Sequence, residues 1–240
     1  MTTSLEEAII LAGGFGTRLR KVVSDVPKPM APMDDKGTPF LALVMHQLAK
    51  QGIARVILSV GYMAEVVRQY FGDSFEGMPI EYVLEDSPLG TGGAVKKALA
   101  ICRNDSVFVL NGDTFLDVPL AEIKQLHERS AADFTIAARE MFDFDRYGAL
   151  ELSKDNRVLL FGEKKKCEHG YINGGVYCIN VSILKDMPSG EFSLEQDYLS
   201  NNIDVIKVQA YKTDGYFVDI GIPEDYQQAR SYFKSREAKY

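Results

Sequence analysis

Short apolar runs alternate with helix-spaced apolar positions through the first half of the chain. Ala8 to Ala12 is unbroken by any polar side chain, and positions 56–60, 80–84, 107–110 and 134–137 carry similar strand-length runs. Between them Phe40, Leu41, Val44 and Leu48 recur on one face of a helix, and further helices are expected over about 63–71, 94–101 and 120–128. Strands that are apolar throughout, separated by helices, predict an α/β fold with a mostly parallel central sheet of Rossmann-like type, covered on both faces. In such a sheet ligands gather beyond the carboxyl ends of the strands. The loops after Leu11, Leu84 and Leu110 bear glycines or acids at predicted strand ends, so they are expected to line one crevice.

The second half is richer in strands. Positions 148–152 and 157–161 read as a hairpin turning at Asp155-Asn156, and strands follow at 173–179, 205–210 and 216–220. A last helix opens near Pro223. No linker, repeat or low-complexity segment interrupts residues 1–240, which are read as one domain.

Composition narrows the classes. The 240 residues are 46% hydrophobic and 25% charged, ordinary for a globular protein. A net charge of −7 argues against a nucleic-acid partner. No apolar stretch nears the roughly 20 residues of a membrane helix, and the acidic amino terminus is unlike a signal peptide. Cys102, Cys167 and Cys178 show no C-x-x-C, so neither disulfides nor zinc are expected. His46, His127 and His169 are scattered. The cytoplasm is the expected compartment, no membrane association is expected, and a homo-oligomer is left open.

The chemistry concentrates at residues 11–30. The first strand delivers Gly13, Gly14 and Gly16 into a turn whose backbone N–H groups can approach a phosphate closely. Arg18 and Lys28 add fixed positive charge, and Pro27 and Pro29 stiffen the chain around the lysine. The spacing excludes a P-loop, since no Gly-Lys-Ser or Gly-Lys-Thr occurs. It also excludes a G-x-G-x-x-G fingerprint from Gly14, because the final glycine would fall on Leu19. Asp113 and Asp219 each end a predicted strand. A carboxylate at such a position suits Mg²⁺, or is simply a turn residue. Leu89-Gly90-Thr91-Gly92-Gly93-Ala94 either lets a flat base lie on backbone or forms a tight strand-to-helix turn. Ser193 to Asp197 reads as a helix N-cap followed by first-turn acids.

The segment L-A-G-G-F-G-T-R-L with Pro27-Lys28-Pro29 resembles the sugar-phosphate nucleotidyltransferase family. The resemblance continues through Leu110-Asn111-Gly112-Asp113, Phe161-Gly162-Glu163-Lys164, Asn173-Gly174-Gly175 and Val218-Asp219-Ile220-Gly221. Ser193-Leu194-Glu195-Gln196-Asp197 resembles the F-S-L-E-x-D segment of guanylyl-transferring members, although the plain N-cap reading of it is favoured. Ala31-Pro32-Met33, Asp143-Phe144-Asp145-Arg146-Tyr147-Gly148, Ile172-Asn173-Gly174-Gly175 and Asp219-Ile220-Gly221 look most like the D-glycero-α-D-manno-heptose 1-phosphate guanylyltransferases of that family, a resemblance that covers nearly the whole chain.

The resemblance implies a nucleotide-binding half over about 1–130 and a sugar-phosphate-binding half over about 131–240. It places the nucleotide at Leu11, Ala12, Gly13, Gly14, Gly16 and Thr17, with Glu85, Gly90, Thr91 and Gly92 near the base. The sugar phosphate falls to Gly148, Glu163, Lys164, Asn173 and Gly174, although Lys164 also reads as part of an exposed basic turn. Arg18, Lys28 and Asp113 are the implied catalytic residues, and Asp113 and Asp219 the implied Mg²⁺ ligands. The implied reaction joins GTP and manno-heptose 1-phosphate to give GDP-heptose and pyrophosphate, for surface polysaccharide or other glycan synthesis. Mannose-1-phosphate guanylyl transfer, transfer from another nucleotide and a non-catalytic regulatory subunit are the alternatives. Lys21, Lys165, Phe217 and Ile222 depart from the commonest family pattern, which weighs against a glucose substrate.

Overall fold

The computed structural model describes residues 7–16, 18–19, 22–185 and 190–235. The amino-terminal segment 1–6 and Thr17 lie outside the described residues.

Four strands form the parallel heart of the sheet: β1 (Glu7–Ala12), β2 (Arg55–Val60), β4 (Met78–Leu84) and β5 (Ser106–Asn111). Their order is β4-β2-β1-β5, with Ile9 set between Ile57 and Val109. Side chains alternate across a strand, so consecutive residues serve opposite faces. Ala8, Ile10 and Ala12 enter a core with Phe40, Leu41 and Leu48 of α1 (Phe40–Lys50). Ile9 enters a second core with Val95 and Ala98 of α3 (Gly90–Leu99). Both faces are covered, which is why β1 carries no polar residue after Glu7. Each fully buried isoleucine, leucine or phenylalanine among them contributes about 1.5–3 kcal/mol.

β10 (Cys167–Asn180) runs antiparallel between β5 and β7 (Phe134–Phe144), and β11 (Val208–Thr213) lies parallel outside β7. Both halves of the chain therefore contribute to one ten-stranded sheet. The expected hairpin is present as β8 (Gly148–Leu152) and β9 (Val158–Lys164), with Asn156 at φ 62° in its turn. Helices α2 (Ala64–Phe71), α4 (Leu120–Ser130) and α5 (Pro223–Lys234) complete the larger elements. No described helix is long and apolar enough to cross a membrane.

Four departures from expectation have physical causes. α3 begins at Gly90 rather than Ala94, so the glycines form its first turn. A Cβ on Gly90 would lie 2.4 Å from the Phe192 carbonyl oxygen, and one on Gly92 2.1 Å from the Phe192 ring. These glycines admit the 190–192 segment against the helix. β10 is much longer than the predicted 173–179, because Cys167 to Ile172 continue the ladder with β7, and Tyr171 and Ile172 also pair with β8. The strand expected at 205–210 is shifted to Val208–Thr213, the register set by Ile136 opposite Ala210. The sequence pattern also misses β3 (Ser74–Phe75) and β6 (Thr114–Leu116). β6 pairs with β12 (Phe217–Asp219) in a separate two-stranded sheet that sets Asp219 opposite Thr114.

Candidate active site

The glycine turn leaves the carboxyl end of β1, and its glycines are required for different reasons. Gly16 has φ +57°, and a Cβ there would sit 2.6 Å from the Lys28 Cβ. A Cβ on Gly13 would lie 2.2 Å from Glu85 Oε1. Gly14 would meet nothing within 4 Å, so its bare backbone faces open space. The turn thus lets Lys28 and Glu85 close in from two sides while keeping backbone accessible between them.

Lys28 opens a short helical turn, Lys28–Met30, behind the extended Pro27. Its side chain is 9% exposed, and Nζ donates to Asp113 Oδ2 at 2.6 Å and to Asp219 Oδ1 at 3.5 Å. Asp113 follows β5, whose neighbour Gly112 donates its N–H to the Leu11 carbonyl at 2.9 Å. Asp219 closes β12 and accepts the Gly221 N–H at 2.7 Å. A Cβ on Gly221 would lie 2.9 Å from Asp219 Oδ1, 3.3 Å from Lys28 Nζ and 3.4 Å from Arg18 Nη2. Two cations and one carboxylate therefore surround one stretch of bare backbone, and the second carboxylate, Asp113, joins them through Lys28.

Burial raises the Asp219 pKa, and the charge of Asp113 raises it further; Lys28 opposes both. A pair of partly buried carboxylates that repel each other is a donor set suited to a hard divalent cation. Mg²⁺ takes one or two carboxylates and completes its shell with phosphate oxygens and water. Among the described residues no cluster of three or more His, Cys, Asp or Glu forms a closed cage. The donor set at Asp113 and Asp219 thus fits Mg²⁺ and not a fully protein-ligated metal.

A cavity of about 440 Å³ opens over the glycine turn. Leu11, Gly13, Gly14, Gly16, Arg18 and Lys28 line one side of it, and Glu85, Gly90, Thr91 and Asp113 another. Ala12 and Gly92 lie behind this wall, Ala12 in the core and Gly92 beneath Phe192. Glu85 Oε1 accepts a hydrogen bond from the buried Ser59 hydroxyl at 2.9 Å, which fixes one edge of its carboxylate. Asn111 and Glu191 also line the cavity and were not singled out from sequence. Asn111 was legible in principle, since it ends β5 two residues before Asp113.

None of the five expected sugar-side residues lines this cavity. Glu163 and Lys164 are exposed at the end of β9, with Lys164 opposite Gly148. Gly148 is a glycine because a Cβ would collide with the Gly162 carbonyl oxygen, at 2.0 Å. Gly174 packs tightly against Leu116 and the Ala137 backbone. Asn173 stands beside an irregularity where residues 174–176 of β10 face a single residue of β7. There Gly175, at φ +72°, brings its backbone against the Asn111 side chain at the cavity wall. Asn173 therefore flanks the cavity through that contact, while Gly148, Glu163 and Lys164 lie along the adjoining hairpin.

Ser193 caps the helical turn Leu194–Leu199 as expected, accepting the Gln196 N–H at 3.1 Å, and its own N–H donates to Asp197 Oδ2. Glu195 does more than decorate that turn. Its Oε2 accepts from Thr91 Oγ1 at 3.0 Å and its Oε1 from the Tyr177 hydroxyl at 2.6 Å.

A larger cavity, about 560 Å³, lies at the opposite ends of β1 and β5, lined in part by Glu7, Ser106, Lys124 and His127. It brings together none of the residues expected to act. His127 there is buried between Thr135 and Asn180, and burial lowers its pKa.

The family model described as nucleotidyl transferase matches residues 7–236. A D-glycero-alpha-D-manno-heptose 1-phosphate guanylyltransferase of Aneurinibacillus thermoaerophilus is 47% identical over 225 residues, covering 93% of this chain and 96% of that protein. A protein of the same name from Campylobacter jejuni is 45% identical, covering 92% and 96%. The crystal structure of HddC from Yersinia pseudotuberculosis superposes with a TM-score of 0.83 at 38% identity, covering 95% of this chain and 99% of that one. A second crystal structure of that protein is a complex with GMP-PN, with the same similarity.

Proposed function

Since this chain belongs to the nucleotidyl transferase family, we propose that it is a sugar-1-phosphate guanylyltransferase. It joins GTP and D-glycero-α-D-manno-heptose 1-phosphate to give GDP-heptose and pyrophosphate. The observation that carries the chemistry is the meeting of Arg18, Lys28 and Asp219 at Gly221, with Asp113 paired to the same lysine, in the wall of the glycine-turn cavity. The donor and acceptor are supported by the names of relatives 45% and 47% identical over almost the whole chain. A non-catalytic regulatory subunit would have no use for that cluster.

In this reading a phosphate oxygen of the sugar phosphate attacks the α-phosphorus of GTP, and the bond to the bridging oxygen of pyrophosphate breaks. The nucleophile is already an anion, so no general base is required. What the protein must do is hold two anions together and in line. The turn at Gly13 to Gly16 presents N–H groups to the triphosphate. Arg18 faces the departing pyrophosphate, and Lys28 the α-phosphate and the incoming oxygen. Asp113 and Asp219 would hold Mg²⁺, which neutralises charge across the reacting phosphates when bound. Glu85, one oxygen held by Ser59, keeps its other oxygen for the N1–H and 2-amino donors of guanine. GTP and sugar phosphates are cytoplasmic metabolites, and the enzyme works there on a precursor of surface polysaccharide or another glycan.

Four nucleoside triphosphates assayed against heptose, mannose and glucose 1-phosphates, with pyrophosphate release as readout, test the assignment. The expected order of kcat/KM is heptose above mannose above glucose, each with GTP. A pocket that hydrogen-bonds the extra hydroxyl of the heptose rejects mannose by up to about 10⁴-fold, and one that leaves it in solvent by about tenfold or less. Mannose 1-phosphate turned over as well as the heptose makes this a mannose-1-phosphate guanylyltransferase.

Lys164 provides a narrower test. It lies on the hairpin, far in sequence from the triphosphate turn. Lys164→Ala is expected to raise KM for the sugar phosphate several times more than KM for GTP. Equal changes in both would remove Lys164 from the sugar side.

A further inference from the structure

One unbroken chain of hydrogen bonds runs from the nucleotide cavity to β10. Thr91, on the cavity wall, accepts the Leu194 N–H at 2.8 Å and donates its hydroxyl to Glu195 Oε2. The other oxygen, Oε1, takes the Tyr177 hydroxyl. The Tyr177 oxygen in turn accepts a hydrogen from Asn173 Nδ2 at 2.8 Å, and Asn173 Oδ1 accepts the Gly175 N–H at 3.0 Å.

Every donor in this chain points toward the Glu195 carboxylate, and that polarity has a consequence at Asn173. An ionised carboxylate accepts only, so the Tyr177 proton is committed to Glu195 and the phenol oxygen can only accept from the other side. Asn173 must then present its NH₂ to Tyr177 and its oxygen to Gly175. The flipped amide would set oxygen against an oxygen whose proton is spent, and NH₂ against the Gly175 N–H. Both contacts would fail. Tyr177 is fully buried, and burial followed by the Glu195 charge lifts its pKa well above 10, so it remains a phenol. One N–H and one lone pair of Asn173 are left uncommitted, a pair matched to a sugar hydroxyl.

We propose that Glu195 is a positioning residue that sets both substrate subsites with one charge, orienting Thr91 directly and the Asn173 amide through Tyr177. The inference rests on the nucleotidyl-transfer reading above. It assigns Glu195 and Tyr177 a function although neither lines the nucleotide cavity, and it makes the sugar subsite dependent on a residue in the segment that packs on α3.

Steady-state kinetics of three variants, with melting temperatures, test it. Tyr177→Phe removes one oxygen from a filled site; KM for the sugar phosphate is expected to rise about tenfold, the worth of one misdirected hydrogen bond, with KM for GTP within about twofold. Glu195→Gln should raise both KM values and lower kcat. In the double variant the sugar-phosphate KM should rise little beyond that of Glu195→Gln alone, because both changes break one path. A purely structural role would shift melting temperature and leave the two KM values in their wild-type ratio in Tyr177→Phe. That outcome, or unchanged KM values in both single variants, overturns the proposal. If wild-type protein releases no pyrophosphate with any GTP and sugar phosphate pair, the underlying reading fails instead.

Discussion

Asp113→Asn is expected to lower pyrophosphate release by about 10³-fold at ordinary Mg²⁺ concentrations. The amide keeps the shape of the side chain and removes the charge next to Lys28 Nζ, 2.6 Å away. Losing the charge stabilisation supplied by a bound cation is worth several kcal/mol, and each 1.4 kcal/mol is tenfold in rate. Partial recovery at high Mg²⁺ is expected, because Asp219 still offers one carboxylate. Full activity of Asp113→Asn in metal-free buffer containing EDTA would end the assignment of a metal to this pair. Asp219→Asn should lose activity too, but with an opposite sign in stability. The folded-state pKa of Asp219 is raised, by burial first and by Asp113 second. A raised carboxyl pKa means that its stability contribution is present below the unfolded pKa, near 3.9, and is lost as pH rises through the folded value. At neutral pH the charge is therefore a net burden, and Asp219→Asn should melt at or above the wild-type temperature. Thermal scans at neutral and mildly acidic pH check this, and the gap between variant and wild type should narrow toward acid.

Arg18→Ala is expected to lower kcat by about 10²- to 10³-fold, the usual cost of removing one charge aimed at a developing anion. Arg18 is exposed on the cavity wall, so the melting temperature should scarcely change. Lys28 offers the contrasting case. It is 9% exposed and lies between two carboxylates, so Lys28→Ala should reduce both turnover and stability by leaving partly buried charges unpaired. Near-normal turnover in Arg18→Ala would return that residue to the solvated surface.

The parallel heart of the sheet was legible because β1, β2 and β5 are buried on both faces and their composition shows it. The glycine turn, Arg18 and Lys28 were legible for a related reason, since few folds demand glycines and a proline-flanked lysine at that spacing. What joins Asp113 to Asp219 was not. The strand ending at Asp219 was expected at 216–220, and the resemblance alone tied its acid to Asp113. β6 has three residues, too few for any period to show, and the pairing that sets Asp219 beside it was not visible. The glycines of 90–93 were read as a loop because glycine ordinarily breaks helices; their cause is the Phe192 segment, 100 residues away in sequence terms and invisible to local pattern. Glu195 was read as part of a capped first turn. The cap is there, but a first-turn acid can face solvent or protein, and only the position of Tyr177 decides which.

The small β6–β12 sheet also dictates when in the life of a molecule the reacting centre first exists. Lys28 and Asp219 are 191 positions apart. At about 5–20 residues per second, a ribosome spends roughly 10–40 s between delivering one and delivering the other. During that interval the chain already holds the glycine turn, Arg18, Lys28 and Asp113, and lacks both Asp219 and the strand that pairs with β6. A polypeptide released early would carry one acid of the pair without the other.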